Sequence, residues 1–314
     1  MRTRTLGRTG LEVSELGFGA APLGDEFGRL DPGEIDALVG AAIDAGVTFF
    51  DTAAYYGRGL SEQRLGAALG ERRKEIVLST KCCRFDRRGF DFSGERVHAD
   101  VRESLERLGT DVIDLYSVHD VEFGPREVVL NETLPALLEV QRQGLVRHIG
   151  LTGLPVHLLA ELASEGEGFE CVLSYCHHSL LLRDLEPVLG PVVGERGLGL
   201  INGSPLHMGL LTGRQPPEWH PAPLEVRAAA ERMHDICVRA GESLPEVALA
   251  WALTTGPAQT TLSGIGTQAE LAANLKAVGR SVDPELIEEL TGCLDDALGR
   301  TWHEGLSENA PPNL

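Results

Sequence analysis

Four residues stand where this chain could move a proton. Asp51 and Tyr56 follow the short apolar run 47–50. Lys81 closes a second run, 76–81, and His119 a third, 112–119. An apolar run that stops abruptly at polar residues is the pattern of a buried parallel strand. A lone phenol has a pKa of about 10, too high for ready proton exchange near neutrality. A neighbouring ammonium favours phenolate and is expected to lower that value. A carboxylate beside the lysine would hold its charge and position, and a neutral histidine can hydrogen-bond a reacting oxygen or relay a proton. The set therefore fits acid–base work on a carbonyl or alcohol. Singly, each residue has a plainer reading: Asp51 as a helix cap, Lys81 as a solvated group, His119 as a strand end, Tyr56 as packing. Their arrival on consecutive strands favours the joint reading.

Such a set needs a frame, and the rest of the chain supplies one. Further apolar runs at 16–20, 146–152, 171–175, 198–202 and 260–264 bring the strands to eight, and helical patterns alternate with them. Asp31-Pro32-Gly33-Glu34 is a helix start, with an N-cap, a proline at the first position and a glutamate at the third. Helical spacing then runs to Gly46. Helices are expected at 61–69, from Ser93, at 125–144, 156–163, 184–195, 224–240 and 245–253, from Thr267, and at 283–294, with a tail at 299–314. The opening, 4–13, reads as a hairpin that covers the bottom of a barrel. Eight strand–helix units with short connections predict an α/β fold: a (β/α)8 TIM barrel with an N-terminal β-hairpin and extra C-terminal helices. A doubly wound sheet would want Gly-x-Gly-x-x-Gly after its first strand, and Gly17-Phe18-Gly19 lacks the third glycine. No linker divides the chain, so residues 1–314 are expected to form one domain.

Composition sets outer limits. Formal net charge is −19, which opposes a nucleic-acid or anionic-membrane surface. No apolar run approaches the ~20 residues of a membrane span, and residues 1–7 lack the apolar core of a signal peptide. A cytoplasmic protein is expected, as a monomer or small homo-oligomer. Its six cysteines form no Cys-x-x-Cys pair, so no metal site is expected. Cys82 and Cys83, beside Lys81, read as packing and fall outside the catalytic set.

Phe50-Asp51-Thr52-Ala53-x-x-Tyr56-Gly57, Ser61-Glu62-x-x-Leu65-Gly66, Thr80-Lys81 and His119 together resemble the aldo-keto reductases. The likeness runs from about Leu6 to Val278 and includes Ser204-Pro205-Leu206 and Asn274. It implies Tyr56 as general acid/base, Lys81 and Asp51 as the groups that tune it, and His119 as the residue that orients substrate. It also implies a nicotinamide cofactor extended across the barrel mouth without a Rossmann domain. A narrower likeness points to the L-galactose dehydrogenase branch. It rests on 89–93, 119–124, 152–155, 173–177 and the run Pro217-Glu218-Trp219-His220-Pro221. That branch oxidises sugars at C1 to lactones with NAD⁺, and relatives act on other aldoses and on pyridoxal.

By the same likeness Thr152-Gly153 stands where many members place Ser-Asn around the cofactor carboxamide. Ser174 replaces a glutamine there, and Gly203 an aromatic under the nicotinamide. Glu270 stands where NADP-dependent members often carry an arginine. A carboxylate would repel a 2′-phosphate and accept from a free ribose 2′-OH. Thr267-x-x-Glu270 also reads as a capping box, and both readings can hold. NAD is therefore expected over NADP. Gly264, Ile265 and Gly266, ahead of the helix start at Thr267, are expected to offer backbone N–H groups to a phosphate. Tyr55, Trp219 and His220 are assigned to the substrate side, with Trp219 stacking on a sugar face, and Trp302 and His303 as possible additions to that wall. The leading expectation is an NAD-dependent sugar 1-dehydrogenase. The alternatives are an NADP-dependent reductase of aldehydes or ketones, a pyridoxal dehydrogenase, and a cofactor-sensing regulatory subunit.

Overall fold

The computed structural model describes residues 1–25, 28–216 and 218–311. The antiparallel pair β1 (Thr3–Thr5) and β2 (Glu12–Ser14) opens the chain, with Arg4 opposite Val13. Eight parallel strands then close into a barrel: β3 (Leu16–Gly19), β4 (Phe49–Asp51), β5 (Val77–Cys82), β8 (Ile113–Val118), β9 (Val146–Gly153), β10 (Cys171–Tyr175), β11 (Gly199–Gly203) and β12 (Thr260–Gly264). Each pairs with the next in chain order, and β12 returns to β3. A side hairpin, β6 (Arg84–Asp86) with β7 (Gly89–Phe90), interrupts the sequence after β5.

Helices fill the connections: α1 (Pro32–Asp44), α2 (Leu60–Leu69), α3 (Gly94–Leu108), α4 (Arg126–Val128), α5 (Leu134–Arg142), α6 (Val156–Glu165), α7 (Leu185–Arg196), α8 (Leu224–Ala240), α9 (Leu244–Thr255), α10 (Gln268–Ala277) and α11 (Pro284–Gly292). The caps written in the sequence form. The Asp31 carboxylate accepts from Gly33 N at 2.9 Å, and the Ser93 hydroxyl accepts from Arg96 N at 3.2 Å. Such caps satisfy donors that a helix start leaves unpaired. No helix of the described residues is long and apolar enough to cross a membrane.

Alternation along the strands sorts the core into two layers. Phe49, Leu115, Leu173, Ile201 and Leu262 fill the barrel interior, and Leu6 and Val13 of the hairpin close its lower end. Phe50, Leu78, Cys82, Tyr116, Val118 and Leu151 face outward, against the helices. With Phe49 inside, period two puts Asp51 inside. With Leu78 and Cys82 outside, Ser79 and Lys81 point in. The interior is thus apolar at the hairpin end and polar at the other.

Two details depart from expectation. The second barrel strand is Phe49–Asp51 rather than 47–50, so Asp51 is a strand residue. The helix expected over 125–144 is broken by a π turn at Val129–Thr133. Pro135, in the first turn of α5, has no N–H to donate back to residue 131, and the ladder slips there. Cys82 and Cys83 are both buried, as packing residues would be.

Candidate active site

Three strand ends build the site. Asp51 ends β4, Lys81 lies one residue from the end of β5, and His119 follows β8. Tyr56 sits on the turn between β4 and α2. Lys81 is 2% exposed and its Nζ lies 2.5 Å from Asp51 Oδ2. It also donates to the carbonyl of Thr52 at 2.7 Å. The second Asp51 oxygen accepts from Ser79 Oγ at 2.8 Å. A buried ammonium is tolerable only with partners of this kind. The Lys81 Nζ stands 5.0 Å from the centre of the Tyr56 ring. The Tyr56 and His119 rings meet edge to face, with centroids 5.8 Å apart, and Tyr55 meets His119 at 6.0 Å. The four sequence-selected residues therefore share one mouth.

Their electrostatics differ from expectation in one respect. Burial pushes the Tyr56 phenol above its usual 10.0, and Asp51 and Asp120 push the same way, while Lys81 pulls down without prevailing. The expected lowering does not appear because burial of the phenol outweighs the pull of Lys81, with Asp51 adding to it. Burial opposes the Lys81 ammonium, yet Asp51 and Tyr56 together hold its pKa above 10.5. Burial also depresses His119 from 6.5 to about 3, with Lys81 and Arg84 acting in the same direction against Asp120. The site thus presents a neutral phenol, a neutral imidazole with Nδ1 buried and unpartnered, and a fixed ammonium–carboxylate pair.

Three residues of the site escaped the sequence reading. Arg84 lays its guanidinium over the Tyr55 ring at 3.8 Å and pairs with Asp120. Asp120 follows His119 with φ at 50° and lies 3.5 Å from His119 Nε2. Glu122 is fully buried; its Oε1 accepts from Leu154 N at 3.1 Å and from Tyr175 OH at 3.3 Å, and its Oε2 has no partner. Burial, reinforced by Asp120, raises its pKa well above 4.5. Asp120 and Glu122 fall within the run 119–124 that carries the narrower likeness, and Arg84 had only its position just past a strand end as a signal.

The wall residues divide. Trp219 is 42% exposed and stacks on His220 at 6.1 Å. His220 is buried and both ring nitrogens are engaged within its own loop, with the carbonyl of His207 at 3.1 Å and with Ala222 N at 3.1 Å. It pins the loop, which corrects its expected place on the substrate side. Trp302 is buried and packs edge-on against His207 and His220, and His303 Nε2 bonds the carbonyl of Leu306. Pro217, part of the quoted 217–221 run, lies outside the described residues.

The model of the aldo/keto reductase family matches residues 15–295. The chain belongs to the aldo/keto reductase family. It is 38% identical to L-galactose dehydrogenase of Arabidopsis thaliana, with 98% of each chain covered. It is 30% identical to D-threo-aldose 1-dehydrogenase of a Pseudomonas species, covering 90% of this chain and 94% of the relative. Among solved structures, aldo-keto reductase AKR11C1 from Bacillus halodurans, in its holo form, superposes with a TM-score of 0.79 at 27% identity, covering 97% of this chain and 99% of the other. The protein is thus an oxidoreductase of this family, whose members use nicotinamide cofactors.

The residues expected to meet such a cofactor differ in how far they are engaged within this aldo/keto reductase. Thr152 faces the interior; its Oγ1 accepts from Asp120 N at 3.3 Å and keeps a proton to donate. Beside it, a side chain on Gly153 would begin 2.6 Å from Glu122 Oε2, so the Glu122 carboxyl already fills that space. Ser174 differs from expectation. Its neighbour Leu173 lies in the interior, so Ser174 turns outward and bonds the carbonyl of Leu154 at 3.4 Å. Ser204 takes φ of 51° after β11 and leads into Pro205 and Leu206. A Cβ on Gly203 would sit 3.0 Å from that of Tyr175, so the strand end is close-packed. At the far end, Thr267 caps Glu270 N at 3.2 Å, and Glu270 Oε2 accepts from Gly266 N at 2.9 Å. The capping reading of Glu270 therefore holds, and the Gly266 N–H expected for a phosphate is already engaged. Gly264 is exposed at the end of β12, and Asn274 Nδ2 donates to Ser263 Oγ at 2.9 Å.

Proposed function

We propose that this protein oxidises the C1 hemiacetal of an aldose to a lactone, with NAD⁺ as oxidant. The observation that carries the reading is the Tyr56–Lys81–Asp51–His119 constellation within a chain so similar, end to end, to an L-galactose dehydrogenase. A nicotinamide, when bound, supplies the hydride acceptor. Tyr56 takes the proton of the C1 hydroxyl as general base. Lys81 steadies the phenolate that this requires, and Asp51 with Ser79 keeps the ammonium in position. His119, neutral, hydrogen-bonds the same oxygen and fixes the sugar's orientation. Arg84 and Tyr55 hold Asp120 and the His119 loop. Thr152 and Glu122 would hold the carboxamide of the cofactor. Glu270 supports NAD over NADP: a carboxylate in the first turn of α10 repels a further phosphate charge. A single domain spanning residues 1–314 is part of this proposal.

An absorbance screen for reduced nicotinamide, over aldoses and pyridoxal with NAD⁺ and NADP⁺ in parallel, tests it. The proposal expects turnover of L-galactose-like sugars with NAD⁺, and loss of about 10²- to 10⁴-fold in Tyr56→Phe. Comparable kcat/KM with NADP⁺ would refute the cofactor assignment, and activity retained in Tyr56→Phe would refute the mechanism.

A further inference from the structure

A second cavity, of about 180 Å³, lies under the C-terminal tail on the outer side of the barrel top. Val156 and His157 of the first turn of α6 line it, with His177, Asp184, Arg300 and Thr301. None of Asp51, Tyr56, Lys81 or His119 does. The volume corresponds to about six waters, enough for one small polyatomic ion.

Three observations converge on an anion. First, α6 has ten residues and no side chain caps its N-terminus, so its first amides and the positive end of its dipole meet the cavity. Second, His177 is 2% exposed, its Nδ1 is tied to Asp184 Oδ1 at 2.7 Å, and its Nε2 is buried without a partner. Such an orphaned atom calls for a ligand. Third, Arg300 and His157 stand exposed at the rim, and Asp184 is the one acidic residue in a wall cut from a chain of net charge −19.

We propose that this cavity is a binding site for a small tetrahedral oxyanion of the phosphate type. Its oxygens would meet the first amides of α6, Thr301, Arg300 and the unpartnered Nε2 of His177, whose ring Asp184 holds in place through Nδ1. A bound ion would tie the tail at 299–302 to the start of α6.

The test is calorimetric titration of inorganic phosphate into the full chain saturated with nicotinamide dinucleotide, so that the cofactor's own phosphate contacts are filled. The site predicts saturable phosphate binding and a Tm that rises with phosphate. His177→Phe, which keeps a ring and removes both nitrogens, should weaken phosphate by about tenfold or more. His157→Asp provides the exposed control: it places a carboxylate on the free helix end, should leave folding intact, and should weaken phosphate to a similar degree. Binding unchanged in both variants, or no saturable binding in the millimolar range, would each overturn the proposal.

Discussion

Lys81 and Asp51 show most directly how the proposed active site is bound up with stability. Each is buried and each is the other's counter-ion. Lys81→Met should abolish activity and cost roughly 3–5 kcal/mol, because Asp51 is left buried and unpaired. Lys81→Met with Asp51→Asn should recover much of that stability and none of the activity, by urea unfolding and initial rates. Tyr56 carries a pH signature. Its phenol lies above the usual range, so the phenolate is scarce at neutrality and grows about tenfold per pH unit. The kcat/KM for oxidation should therefore climb with slope near one from pH 7 to 9; a flat profile would take Tyr56 out of the base role. His119, depressed to about 3, stays neutral through that range. Stability from its buried neutral ring is full above the unfolded pKa of 6.5 and is lost as pH falls toward 3. Its ring resonances should not titrate between pH 5 and 8. Glu122 has the opposite sign. Its folded pKa is raised well above 4.5, so its contribution is full below 4.5 and declines as pH rises toward the folded value. Glu122→Gln should therefore gain Tm over the parent as pH rises, which thermal scans at pH 5 and 8 would read.

At the scale of elements, the loop that carries His119 is held from the far end of the chain. Asn309 Nδ2 donates to the carbonyls of Glu122 and Gly124, each at 2.9 Å, across 187 and 185 residues. Leu306 N reaches the same Glu122 carbonyl at 2.9 Å. Gly305, at φ of 112°, comes so close that a Cβ would lie 2.4 Å from that oxygen. Asn309→Ala should cost about 1–3 kcal/mol by leaving the buried Gly124 carbonyl without its donor, while Glu122 keeps Leu306 N. It should also lower kcat with little change in cofactor affinity, measurable by fluorescence titration; an unchanged kcat would separate the tail from the active site. This contact explains what the sequence could and could not tell. Asp51, Lys81 and His119 were legible because period-two alternation aims strand-end residues into a barrel. Arg84, Asp120 and Glu122 were not, because a charge in a short turn reads as solvated until a distant segment covers it. Glu270 was legible as a cap, from Thr267 three residues ahead. His220 misled, because its two nitrogens find partners only once its loop has folded.

For the whole molecule, the alternation of eight strands and helices carried the fold. The caps at Asp31 and Thr267, the helix start at Ser93 and the hairpin around Gly7–Gly10 stand as expected, since each depends on neighbours in sequence. The break at Val129–Thr133 depends on one missing amide hydrogen and left no mark on the hydrophobic pattern. The central claim concerns the whole site at once: a sugar loses hydrogen from C1 to the cofactor and its hydroxyl proton to Tyr56. The direct measurement uses L-galactose deuterated at C1 with NAD⁺, following product and cofactor by mass spectrometry and NMR. The account predicts a 1,4- or 1,5-lactone free of deuterium, one deuterium on the reduced nicotinamide, and no product from Tyr56→Phe. Deuterium retained in an oxidised sugar, or left on C1 with no reduced cofactor formed, would contradict it.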